Sequence, residues 1–177
     1  MSTRSGSQRL FFALWPEDAL RERLIDVRER IDGHRGKPVH PADLHVTLVF
    51  LGKVEADEYG CVVEAAEGVE GTSFELSIDR VGYWKRPRIL WCGPSHAPAG
   101  LTRLFDDLRS RLTACGFSPE KRPYAPHVTL ARKSLPVVGF RLERPLHLKI
   151  REFVLVSSDN GIPSPRYQVI KKWALDS

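Results

Sequence analysis

Two stretches of this 177-residue chain carry the same string: His45-Val46-Thr47-Leu48 and His127-Val128-Thr129-Leu130. Side chains two apart on a strand point to the same side. Read as a strand, each string presents an imidazole and a hydroxyl together and turns Val and Leu the other way. Imidazole titrates near pH ~6.5 and exchanges a proton at neutral pH. A threonine hydroxyl donates a hydrogen bond to a phosphate oxygen. Two such pairs around one site meet the needs of phosphodiester hydrolysis. One histidine activates water, the other protonates the leaving oxygen, and Thr47 and Thr129 hold the non-bridging oxygens. A lone His-x-Thr on a strand is ordinary packing, because Thr favours strands. Each of the six histidines has about a 1-in-30 chance of a Thr two places on, so about 0.2 matches are expected by accident. Two matches in one four-residue string exceed that. Histidine is also a zinc ligand. No Cys, Asp or Glu follows either string at ligand spacing, so neither a metal nor a cofactor is expected.

The elements that must position these residues repeat as well. A strand over 10–15 precedes a helix over 16–33, opened by Pro16 with Glu17 and Asp18 complementing its dipole. Leu20, Leu24, Val27 and Ile31 fall at helical spacing, and Gly33 is the expected stop. A second helix over 98–116 turns Leu101, Leu104, Phe105, Leu108 and Leu112 inward and ends at Gly116. His45 follows Gly33 by 12 residues, and His127 follows Gly116 by 11. A helix, a proline-bearing loop and a His-Val-Thr-Leu strand therefore occur twice. This predicts an internal duplication with two lobes about a pseudo-twofold axis and the two motifs facing one cleft. A weaker helix over 55–67 and strands over 74–81, 88–93, 146–150, 153–157 and 167–175 complete the reading. A hairpin is expected around 85–87 and a loop over 158–166. Residues 1–8 read as a disordered leader, and 9–177 as one two-lobed domain.

Composition narrows the classes. Hydrophobic residues make up 42% and charged residues 28%, as in a globular chain and unlike a disordered one. No apolar run approaches the ~20 residues of a membrane helix, and residues 10–15 are too short for a signal-peptide core. The expectation is a cytoplasmic monomer without a membrane partner. Cys61, Cys92 and Cys115 are odd in number and widely spaced, which predicts buried reduced thiols. Residues 1–117 carry 16 Lys/Arg against 17 Asp/Glu, whereas residues 118–177 carry 11 against 5. A basic segment of this kind suits an anionic ligand such as RNA.

The pieces Arg9 to Pro16, Leu44 to Gly52, Pro126 to Arg132 and Tyr167 to Leu175 together resemble the 2H phosphoesterase superfamily. Within it, the chain is most similar to the RNA 2′,3′-cyclic phosphodiesterases, also called LigT-like or 2′-5′ RNA ligases. The resemblance covers nearly the whole chain from Arg9; the segment 157–167 departs from the family's usual loop. It implies an α+β fold with two antiparallel sheets flanking a V-shaped cleft. It implies hydrolysis of a terminal 2′,3′-cyclic phosphate to a 2′-phosphate, and a reversible 2′-5′ ligation. It also implies His45 as proton donor and His127 as acceptor.

Other residues carry weaker signals. Arg132 stands five places after His127, where the family has an arginine able to clamp phosphate. Strict alternation points it away from His127, so the strand must end or bulge for it to reach. Phe12 on the first strand either stacks on a base or packs in the core. Tyr124 offers a base-stacking or hydroxyl contact. His34, His40, His96 and His147 have no partner motif. Two rival functions stay open: a catalytically silent nucleotide-binding module on the same scaffold, and ligation as the main role. No Gly-rich nucleotide loop is present, so no ATP site is evident.

Overall fold

The computed structural model describes residues 6–118, 120–158 and 161–177. The chain runs β1 (Gln8–Leu14), α1 (Asp18–Glu29), β2 (Lys37–Pro38), a 3-10 turn (Pro41–Asp43), β3 (Val46–Val54), α2 (Tyr59–Glu67), β4 (Phe74–Trp84), β5 (Ile89–Gly93), α3 (Ala99–Ala114), β6 (Val128–Arg132), β7 (Phe140–Ile150), β8 (Glu152–Ser158) and β9 (Tyr167–Ala174). Most of the leader expected over 1–8 lies outside the described residues, but Gln8 already pairs with Val54. The loop expected over 158–166 is irregular from residue 161, and residues 159 and 160 lie outside the described set.

The strands order as β7-β4-β5-β6-β3-β1-β8-β9, with β2 on β6. Four strands lie on each side of the β6–β3 seam. On one side lie β3, β1, β8 and β9, and on the other β6, β5, β4 and β7. Every pairing among these strands is antiparallel. The halves meet at a single register pair, Val46 with Val128. Each half contains strand–helix–strand in the same sense, β1–α1–β3 and β5–α3–β6. The expected α+β duplication is thus present, its two antiparallel sheets joined edge to edge at one position.

Burial separates the two faces. Val46, Leu48, Val128 and Leu130 are buried in the main core with Leu24 of α1, Val62 of α2 and the inner face of α3. That inner face is Leu101, Leu104, Leu108 and Leu112, with Phe105 buried beside it against Tyr124, so all five positions that the helical spacing turns inward are buried. Gly116, with φ of +94°, follows α3 in a conformation that suits glycine. α1 stops at Glu29, short of Gly33. A second, smaller cluster lies on the other face of the β3–β1–β8–β9 half, formed by Phe11, Ala13, Val154 and Val156. Trp15, Tyr167 and Val169 pack against it.

Two expectations are corrected. Cys61 and Cys115 form a disulfide that ties α2 to the end of α3, and only Cys92 remains a buried thiol. The helices that carry the pair become neighbours only after folding, so their spacing of 54 residues gave no sign of it. The seventh strand starts at Phe140 rather than 146. It is an edge strand, and its register with β4 breaks between Ile78 and Arg80, opposite the Pro145 region. Proline lacks a donor and is tolerated at such a break.

Candidate active site

His45 precedes β3 and His127 precedes β6, so the seam that pairs Val46 with Val128 brings both histidines to one pocket. The pocket is lined by Phe11, His45, Thr47, His127, Thr129 and Arg132, with Ile89 and Tyr167 at its sides, and holds about 160 Å³.

The two imidazoles are held alike. His45 Nδ1 lies 2.7 Å from the Asp43 carbonyl, and His127 Nδ1 lies 2.8 Å from the Ala125 carbonyl. A carbonyl only accepts, so each Nδ1 carries the hydrogen and donates it. That leaves Nε2 of each ring as the atom that can exchange a proton in the pocket. His45 Nε2 stands 2.9 Å from Thr47 Oγ1, so in the neutral ring the hydroxyl donates to it.

The surroundings of the rings differ. Trp15 stacks on His45 with centroids 5.5 Å apart, Phe11 lies at 4.9 Å and Tyr167 meets its edge at 5.2 Å. Among the described residues, His127 has one aromatic neighbour, Trp84, at 4.4 Å. Burial lowers the His45 pKa to about 4, helped by repulsion from His127 and Arg132, with the Asp43 carbonyl bond opposing. Burial also lowers His127, again against its carbonyl bond and with Arg132 adding repulsion. Both shifts favour the neutral ring at pH 7.

Asp43 was not visible as a site residue in the sequence. Its backbone carbonyl fixes His45, while its buried carboxylate accepts bonds from the backbone N–H groups of Arg166 and Tyr167 at 3.0 to 3.2 Å. One residue thus holds the imidazole and the start of β9, whose Tyr167 ring closes over it. Its position two places before the motif was the available signal.

Arg132 reaches the pocket through a bulge. Thr129 pairs with Trp91 but Ala131 with Leu90, so Leu130 is an extra residue in β6. Leu130 and Ala131 are both fully buried, alternation resets, and Arg132 turns toward the cleft. The same irregularity occurs in β3, where Thr47 pairs with Ala13 and Val49 with Phe12, leaving Leu48 extra. By the twofold relation Phe50 stands where Arg132 stands, so only one half supplies a cation at that position.

Phe12 and Tyr124, each weighed as a substrate contact, do not line the pocket. Phe12 is fully buried, with its ring 6.2 Å from Phe153 and 5.8 Å from Trp173, so it belongs to the core. Its neighbour Phe11 faces the pocket instead. Tyr124 stacks on Phe105 at 4.0 Å and donates its hydroxyl to the Thr47 carbonyl at 2.9 Å, so it supports the motif from behind. Among the described residues no group of three or more His, Cys, Asp or Glu is placed to hold a metal ion, and no helix is long and apolar enough to cross a membrane.

Paired His and Thr side chains on a duplicated strand–helix–strand scaffold, with one arginine beside them, thus surround a single pocket. The chain belongs to the LigT like phosphoesterase family, whose pattern matches residues 14–91 and 93–167. It is 34% identical to the RNA 2′,3′-cyclic phosphodiesterase of Escherichia coli K12 across 97% of this chain and 98% of that one. The crystal structure of E. coli LigT complexed with 3′-AMP superposes with a TM-score of 0.86 at 34% identity, covering 97% of this chain and 99% of that one. The crystal structure of TT0787 from Thermus thermophilus superposes with a TM-score of 0.80 at 27% identity, covering 94% and 97%.

Proposed function

We propose that this protein opens 2′,3′-cyclic phosphates at RNA ends and leaves a 2′-phosphate. The observation that carries the reading is the matched pair of histidines, each with Nδ1 committed to a carbonyl and Nε2 left for the pocket it shares with two threonines and an arginine, that of His45 in reach of the Thr47 hydroxyl. The E. coli relative named for this activity, and its complex with 3′-AMP, support the substrate class.

In the reaction, water attacks phosphorus as the bond from phosphorus to O3′ breaks. One Nε2 takes a proton from the water while the other gives a proton to O3′. Thr47, Thr129 and Arg132 hold the non-bridging oxygens, where charge builds up. One imidazole must enter the step protonated, yet burial favours the neutral form of both at pH 7. The substrate's own negative charge supplies the correction, since an anion a few ångströms away favours imidazolium. Following the family resemblance, His45 is the acid and His127 the base.

The test is product analysis on an oligonucleotide ending in a 2′,3′-cyclic phosphate. We expect a 2′-phosphate end, formed equally well in EDTA. No turnover, with binding retained, would make this a silent nucleotide-binding module. A 3′-phosphate product would reverse the leaving group. Activity lost to EDTA and restored by a divalent ion would replace the mechanism.

A further inference from the structure

Beside the catalytic pocket runs a wider groove of about 400 Å³. The two share His45, Thr129, Arg132 and Tyr167 as walls, so they form one continuous depression. Beyond Arg132 the groove is lined by three further cations, Lys37, Lys133 and Arg166. The one carboxylate along it, Asp43, is buried and taken up by the backbone of Arg166 and Tyr167. Among the described residues, none of the three cations forms an ion pair.

The wall carrying these charges is built. Lys37 of β2 is the register partner of Arg132 in β6. Like charges directly opposite on neighbouring strands repel, and an anion between them removes that cost. Lys133 adopts φ of +54°, a region that costs a non-glycine residue energy. Arg88 holds it there, donating at 3.2 Å to both the Lys133 and Ser134 carbonyls. Ser134 is fully buried, and the Leu135 N–H beside it donates to the His34 carbonyl at 2.6 Å, which clips the segment before β2 to the end of β6. A Cβ on Gly36 would sit 2.9 Å from the Arg132 carbonyl, so the two segments touch backbone to backbone. A solvated surface patch needs none of these devices.

We infer that this groove seats the RNA strand on the 5′ side of the terminal nucleotide, so that the protein acts on polynucleotide ends in preference to free cyclic mononucleotides. The inference rests on the reading of the pocket as a cyclic-phosphate site. A cyclic phosphate carries one negative charge, and Arg132 answers it. The remaining cations call for more phosphates, and the only phosphates covalently continuous with the terminal nucleotide are those of the chain behind it. Groove and pocket are joined in the same order as strand and end.

The experiment compares kcat/KM for three substrates that share a terminal adenosine 2′,3′-cyclic phosphate: the mononucleotide, the same with one 5′-phosphate, and a decamer RNA. The wild type should prefer the decamer over the mononucleotide by on the order of 10-fold or more at low salt, with the gap closing as salt rises, because single-strand phosphate contacts release counterions. The 5′-phosphorylated mononucleotide should fall between them. K37Q/K133Q, two neutral changes at exposed side chains that put no carboxylate opposite Arg132, should remove most of the preference and leave mononucleotide turnover unchanged. K85E/R86E, at the exposed cations of the β4–β5 hairpin beside Trp84, should keep it. Equal use of the decamer and the mononucleotide overturns the inference. So does equal use of the decamer and the 5′-phosphorylated mononucleotide, and so does a preference lost in K85E/R86E but kept in K37Q/K133Q. Failure to turn over any of the three would instead sink the cyclic-phosphate reading itself.

Discussion

Burial fixes the protonation of the two histidines before any substrate arrives. With His45 lowered to about 4 and His127 below its ordinary value, the neutral form of both rings predominates in the free protein at pH 7. The form with one proton shared between them grows as pH falls through the higher of the two values, and it disappears below the lower. Because kcat/KM reports the free enzyme, its maximum should lie on the acid side of 6.5 and fall away near pH 4. The bound phosphate raises both groups, so kcat should peak at higher pH than kcat/KM. Coincident profiles for the two parameters would show that the substrate does not set the protonation. Which ring donates is a separate matter. The resemblance makes His45 the acid, while its tighter aromatic enclosure makes it the poorer holder of a proton. A substrate with sulfur in place of O3′ decides between them, since a thiolate leaves without a proton. Either His→Ala change should cost on the order of 10²–10⁴ in rate on the oxygen substrate. On the sulfur substrate His45→Ala should recover and His127→Ala should not. Recovery of His127→Ala alone would exchange the roles.

At the scale of elements, the site depends on two bulges and on what braces them. The extra Leu130 in β6 has its carbonyl bonded by the Val39 N–H at 3.0 Å, with the buried Arg28 guanidinium of α1 at 3.5 Å. The extra Leu48 in β3 follows Thr47, whose carbonyl is held by Tyr124. Tyr124→Phe keeps the ring on Phe105 and removes only that bond. It should lower stability by about 1 kcal/mol, and it should lower kcat several-fold while leaving KM for a cyclic mononucleotide nearly unchanged. A fall in affinity without a fall in kcat would instead return Tyr124 to the substrate. The motif histidines and threonines were legible because period-two alternation holds from His45 to Thr47 and from His127 to Thr129. Arg132 was legible only by type, since a bulge is invisible to alternation. The choice between Phe11 and Phe12 was closed to sequence for a related reason. β1 is buried on both faces, by the main core on one side and by the smaller cluster under His45 on the other. A strand apolar throughout gives no clue to which face meets the cleft.

Across the whole molecule, chemistry and stability lie on opposite faces of the sheet. The helices cover the main core, and the pocket opens on the other face. The Cys61–Cys115 bridge joins α2 to α3 within the helical layer and closes a segment of 54 residues that includes the β4–β5 hairpin. Closing a loop of that length restricts the unfolded chain and stabilises the fold by about 2–4 kcal/mol. The third cysteine does not exchange with it, because burial pushes the Cys92 thiol up to about 12 and keeps it protonated within the core. Reduction should therefore act on one bridge alone. Native protein treated with reductant should alkylate at two cysteines, and the third should react only after unfolding. The reduced protein, or C61S/C115S, should melt lower by roughly 4–16 °C, the range that 2–4 kcal/mol gives at this chain length. Below the new melting point kcat/KM should match the parent, since no pocket residue lies on either bridged helix. A variant that stays folded but loses activity would show that the helical layer is mechanically coupled to the cleft. The natural route for such coupling is Phe105 of α3, stacked on Tyr124, whose hydroxyl holds the Thr47 carbonyl.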